Sequence, residues 1–317
     1  EMVLMLYAPE APIDQRNTVV PNTIAESLQT WLDQSIGSGR VYDAGFFYRG
    51  SLVKDSRDAR SIGLTVRLED TQLRFLPDWP VLSEITGSLI LDDEETSIWI
   101  DSAAFPDTRV DKANVEIWLD QDRRPLLTAT AALNGPLDGL LEDLRASPLS
   151  RYIPADTLSW AIQGGQRSNM TIQTPLTGAG VVPQVSFQTQ LSGASLNPFA
   201  RIQINDLNGY LSYSSAAGFF ADNLLGVLWE RPISIDISAN AGNDPLTQIK
   251  VIGTLPGQEL SQLLNLPSLD WVRGTSAFDL ALSLGQDRAN LSIQSSLEGI
   301  SIDLPYPIKK SADVAWD

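Results

Sequence analysis

The sequence predicts a mainly β protein, antiparallel strands in meanders with a few short helices. Three observations carry that expectation. Apolar side chains recur at every second position through most of the chain. In "AFDLALSL", Phe278, Leu280, Leu282 and Leu284 alternate with Ala277, Asp279, Ala281 and Ser283, the spacing of a strand with one apolar and one wetter face. Turn-forming residues punctuate these runs at close intervals. Helical periodicity is confined to three stretches.

Taken in order, "MVLMLYA" is too short to span a bilayer as a helix and reads as a strand or the tail of something truncated. Pro21 to Ile36 sets Ile24, Leu28, Trp31, Leu32 and Ile36 on one helical face, with Gly37 as the stop. Strand patterns then place Leu64, Val66 and Leu68 on one face of "GLTVRLED", and Val115, Ile117 and Leu119 on one face of "VEIWLD". "LSWAIQ" does the same with Leu158, Trp160 and Ile162, and "VSFQTQL" with Val185, Phe187 and Leu191. Further on come Ile202 and Ile204, then Ile233, Ile235 and Ile237, then Ile249 and Val251. The stretch quoted above precedes Leu291 and Ile293 of "ANLSIQ". Asn134-Gly135, Gly164-Gly165, Asn208-Gly209 and the cluster Asp92 to Glu95 read as turns. "PLDGLLEDLRAS" and "LPGQELSQLLNL" offer the other two short helices. Roughly fifteen strands linked mostly by short turns describe antiparallel meanders.

Length and composition narrow the function. The 317 residues suit two or three domains or one elongated repeat, and 43% apolar content supports real burial. A net charge of −17 argues against nucleic acid and against a polybasic surface for anionic headgroups. There is no cysteine, hence no disulfide and no thiolate metal site, and no histidine. The Ser-His-Asp, Cys-His and His-zinc chemistries are therefore excluded. The start at Glu1 and the strand-like end "ADVAWD" suggest a fragment of a longer protein.

An internal repeat organises the chain. "EITGSL" at 84–89 matches "DLNGYL" at 206–211, and "NMTIQTPLTG" at 169–178 matches "NLSIQSSLEG" at 290–299. Two further pairs keep an offset of roughly 118–122 residues. The expected organisation is a tail of a preceding unit at 1–70 containing helix 21–36, repeats at 71–182 and 183–307, and the start of a further strand at 308–317.

About three short helices cannot tile so many strands. The apolar faces need a second sheet, as in a sandwich, or a hydrocarbon ligand. Either is favoured by roughly 25 cal/mol per Å² of apolar area covered. A seven-residue strand, about 23 Å long, matches an extended acyl chain.

A resemblance bears on that choice. "TWLDQSIGSGRVYDAGFFYRGSL" (Thr30–Leu52), followed by "LRFLPDWPVLSEITGSLILDDEETSIWI" (Leu73–Ile100), is similar to the central region of the long YhdP-type members of the AsmA-like family, and the likeness extends through Pro307. It implies an elongated, twisted antiparallel β-groove through the periplasm of a Gram-negative envelope, anchored in the inner membrane by an N-terminal helix outside this chain. It implies phospholipid as the cargo, moving between inner and outer membrane, with no enzyme activity, cofactor or metal; envelope protein partners stay unidentified. Leu64, Val66, Leu68, Val115, Ile117, Leu119, Leu158, Trp160, Ile162, Ile202, Ile204, Ile233, Ile235, Ile237, Phe278, Leu280, Leu282, Leu291 and Ile293 would line the groove, and Arg67, Glu116, Asp120, Gln203, Asp236 and Asp279 would form the wet outer face. The competing reading is a structural or adhesive β-sandwich repeat of the cell surface with a dry core.

The candidate chemical motifs are weaker. Ser51-x-x-Lys54 has the spacing of a penicillin-recognising nucleophile without its companion motifs. Asp92 to Glu95 lacks calcium-loop spacing and reads as a hairpin turn. Asn169-Met-Thr and Asn290-Leu-Ser match a glycosylation sequon but sit at equivalent strand starts. Gly37-x-Gly39 reads as a helix cap and turn. No carboxylate pair stands out for glycoside hydrolysis.

Overall fold

The computed structural model describes residues 2–12, 37–51, 60–74, 79–148, 150, 161–176, 183–199, 202–240, 246–259, 270–285 and 289–316. The helix expected at 21–36, Lys54, Leu158, Trp160 and most of the third expected helix lie outside them. The first strands are β1 (Met2–Pro12), β2 (Arg40–Gly50), β3 (Ser61–Leu73), β4 (Leu82–Asp92), β5 (Glu95–Ala104), β6 (Arg109–Leu119) and β7 (Pro125–Pro136). Helix α1 (Leu137–Arg145) follows, then β8 (Ala161–Pro175), β9 (Gln184–Phe199), β10 (Ile202–Ser214), β11 (Gly218–Leu228) and β12 (Arg231–Asn240). β13 (Leu246–Pro256), a 3-10 turn at Gly257–Glu259, β14 (Val272–Leu284), β15 (Ala289–Gln294) and β16 (Ile300–Ile302) complete the described elements.

The fold is the mainly β, antiparallel one that the alternation predicts. Strand order follows chain order from β1 to β15, and β16 pairs with β14 beside β15. Two compact units divide the chain, one of residues 1–152 and 167–186, the other of 153–166 and 187–317. In the first unit, Leu82, Ile85, Ile100, Ala103, Val110 and Leu133 form a buried core closed by Leu140 of α1. In the second, Val272, Ile300 and Ile302 pack with Trp271, Leu297 and Leu304. Lys310 is buried beside that cluster, where its ammonium donates to the carbonyls of Leu297, Ile300 and Ser311. These three bonds satisfy every donor of the buried charge.

Three of the four expected turns are strand interior. Asn134-Gly135, Gly164-Gly165 and Asn208-Gly209 lie within β7, β8 and β10. At Asn208 the β10–β11 register shifts, as at a β-bulge. The Asn208 side chain accepts from the Gly193 N–H at 2.9 Å and donates to the Asp206 carbonyl at 2.7 Å. Gly209 has φ +138°, and a Cβ there would meet Leu224 Cδ2 at 2.7 Å. The pair that usually makes a hairpin turn here makes a bulge with close approach to the neighbouring strand. Glu84 in β4 and Asp206 in β10, at matching positions of the two similar stretches, both take left-handed φ, 54° and 50°.

The Asp92–Glu95 turn is a hairpin as expected, and two of its four carboxylates, Asp93 and Glu94, are engaged by protein. Asp93 accepts from the Ile62 N–H at 2.7 Å and from the Ser61 hydroxyl at 3.2 Å, and Glu94 pairs with Arg123.

The β11–β12 turn is strained. Trp229 and Glu230 occupy its two central positions with φ 50° and 61°, a geometry that favours Asn-Gly. Left-handed backbone costs an L-residue about 1–2 kcal/mol. Replacing Trp229-Glu230 by Asn-Gly is expected to stabilise the second unit by about 1 kcal/mol, read as a raised urea midpoint; an unchanged or lowered midpoint would show that the Trp229 side chain outweighs the strain.

Helix α1 begins after Pro136 and carries Asp138 in its first turn and Arg145 in its last, both matched to the helix dipole. Asp143 on this helix is buried, and its Oδ1 accepts from the Asp107 N–H at 3.4 Å. Burial is the main cause pushing its carboxyl above the ordinary Asp value, with the Asp107 amide and Thr108 working against it. In the window between the unfolded and raised folded pKa the folded chain holds a proton the unfolded chain has lost. The stability this group contributes is therefore present at low pH and lost as pH rises through that window. Asp143→Asn should flatten that dependence in urea titrations at several pH values.

Candidate functional site

Strand register shows which apolar side chains share a face, because residues directly opposite across an antiparallel ladder point the same way. In the first unit, Phe46, Leu64, Leu91, Thr96, Ile117 and Leu127 form one row across β2 to β7. A second row runs Val66, Leu89, Ile98, Val115 and Ala129. A third runs Val41, Leu68, Gly87, Ile100, Ala113 and Ala131. Leu119 extends the same face opposite Pro125. The six residues singled out in β3 and β6 are therefore brought together, joined by others from β2, β4, β5 and β7.

The second unit repeats the arrangement. Ile237, Ile249, Leu282 and Leu291 make one row across β12 to β15, and Ile235, Val251, Leu280 and Ile293 the next. Ile233 and Phe278 flank Gly253 in a third. A Cβ on Gly253 would lie 2.7 Å from Ile233 Cγ2 and 3.2 Å from Phe278 Cε1, so these side chains close over the glycine. Toward β9, Phe187 stacks on Tyr213 with centroids 5.3 Å apart, and Phe219 packs against both. Ile204 is buried, with Ile204 Cγ2 3.3 Å from a Cβ placed on Gly226, and Ile162 and Ile202 are half-buried.

Exposure along this face is graded. Ile233 and Phe278 are 3% and 5% exposed, whereas Ile293 and Leu291 are 37% and 59%. In the first unit the rows through Leu64 and Val66 are half-buried, and the buried core begins at Ile100 and Ile85.

The opposite face is mixed. Arg67 lies between Tyr42 and Ser88, Glu116 opposite Ser97, and Asp236 opposite Lys250. Asp279 lies 3.8 Å from Lys250, and exposed Gln203 donates to Asn205. Asp120 departs from the expectation: it belongs to the β6–β7 turn rather than a strand face. The Arg124 and Asp122 N–H groups donate to it at 2.8 and 2.9 Å, and the Arg124 backbone bond leads in holding its carboxyl below the usual range. Ile90, Trp99, Trp118, Leu225 and Ile252 are exposed on this side.

Alternation misses Leu89, Leu91 and Ile98 because "SLIL" and "SIWI" are apolar at consecutive positions, and such a run has no readable phase. Only the register assigns Leu89 and Leu91 to one face and Ile90 to the other.

Among the described residues no three carboxylates gather to hold a metal ion, and no helix is long and apolar enough to cross a membrane. The family model described as YhdP protein matches residues 18–317. No curated protein and no solved structure matches the chain.

Proposed function

The chain belongs to the YhdP family, an envelope-associated family of lipid-transport type, and from that premise we propose that its in-phase apolar face carries phospholipid acyl chains. In this reading the chain is a segment of a non-enzymatic bridge through the periplasm between inner and outer membrane, anchored at the inner membrane by a part of the protein outside this sequence. The acyl chains slide over Val, Ile, Leu and Phe side chains while headgroups stay in water. Apolar rows that stay in register from β2 to β7, and again from β12 to β15, carry the proposal. Covering them with hydrocarbon is favoured by about 25 cal/mol per Å². The sandwich alternative would need a second sheet over these rows, and within each unit the described strands, the three-residue β16 apart, follow a single hydrogen-bonded order. Native mass spectrometry of the purified chain tests the proposal: co-purifying phospholipid is expected, and a folded, lipid-free chain that takes up none from vesicles would overturn it.

A further inference from the structure

We infer that, on the reading just given, the acyl chains touch only one half of the apolar face, the band next to the β14–β15 connection, and that the other half is sealed protein core. In the second unit the band is Ile237, Ile249, Leu282 and Leu291, with Leu280 and Ile293 at its lower margin. The first three are half-buried, and Leu291 and Ile293 stand open. In that same marginal row, on β12 and β13, Ile235 and Val251 are already buried, and one row beyond them Ile233 and Phe278 meet over Gly253, leaving no surface for a ligand.

The first unit has the same polarity taken by itself. Its half-buried rows lie toward the β4–β5 and β6–β7 turns, and its packed core lies toward α1. Rows are two residues apart, about 7 Å along the strands, so the open row with its margin at Leu280 and Ile293 takes a hydrocarbon tail lying across the strands. The occupant is a hydrocarbon tail rather than a protein strand, because what stands open is side-chain surface, with the backbone of β12 to β14 already paired on both sides. Entry of a tail therefore requires no opening of the sheet, and the sealed rows hold the strands in place beneath the moving ligand.

The whole wild-type chain is incubated with liposomes of phosphatidylethanolamine and phosphatidylglycerol containing a phosphatidylcholine with a diazirine at the end of one acyl chain. Irradiation and peptide mass spectrometry then map the adducts. Adducts at Ile237, Ile249, Leu282, Leu291 or Ile293, and none at Ile233, Val251 or Phe278, are expected. Adducts spread equally over Ile233, Val251 and Phe278 would overturn the band while leaving the lipid reading intact. No adducts, or adducts only on the outer Leu225 and Ile252, would overturn both.

Discussion

Ile117→Asp is expected to reduce lipid transfer by roughly 70- to 400-fold, the factor that corresponds to about 2.5–3.5 kcal/mol for an Asp in a hydrocarbon environment. Ile117 lies half-buried between Thr96 and Leu127, in the row that also holds Leu64 and Leu91. A tail passing along that row must cross the new carboxylate without any partner to satisfy it. Its sequence neighbour Glu116 points to the other face, opposite Ser97, and Glu116→Gln should leave transfer unchanged. Transfer of a fluorescent phospholipid between donor and acceptor vesicles reads both variants, with circular dichroism checking that each folds. Leu280→Asp against Asp279→Asn repeats the comparison in the second unit. Equal tolerance on the two faces would sink the groove reading, since a sheet without a lipid-bearing side has no reason to distinguish them.

That contrast is legible in the sequence wherever polar and apolar residues alternate strictly. "GLTVRLED", "ISIDIS" and "AFDLALSL" each have one readable phase, and each of their apolar sets lies on one face. Where both faces carry apolar residues, as at Ile98-Trp99-Ile100, phase is lost and only pairing to Val115, Asn114 and Ala113 restores it. Local turn chemistry misleads for a different reason. Asn-Gly and Gly-Gly pairs tolerate left-handed or crowded backbone wherever it occurs, in a bulge as well as in a hairpin, so composition alone does not tell Asn208-Gly209 from a turn. Alternation continues through Asp120 and so carries it onto a strand face. Its two backbone N–H partners show that the strand has already ended there. The grading of the apolar face is not legible at all. Phe278 and Leu282 are equivalent in the alternation, and they differ because Gly253 faces one and Ile249 the other.

Phe278→Ala is expected to destabilise the second unit by about 3–5 kcal/mol, the usual cost of emptying a buried aromatic site. The ring is 5% exposed and packs with Ile233 across Gly253. With no side chain on Gly253 to collapse into the space, the cavity would stay open. Leu291→Ala removes an apolar side chain from the same face but from a position 59% exposed, and should cost about 0.5 kcal/mol or less. Urea unfolding followed by circular dichroism gives both values. The two variants should exchange order in lipid uptake per folded molecule: Leu291→Ala loses contact with the tail, whereas Phe278→Ala, measured at low urea where it remains folded, retains it. If Phe278→Ala proves nearly neutral in stability and defective in uptake, Phe278 belongs to the lipid path after all, and the boundary between moving hydrocarbon and fixed core lies at least one row deeper than Ile233 and Phe278.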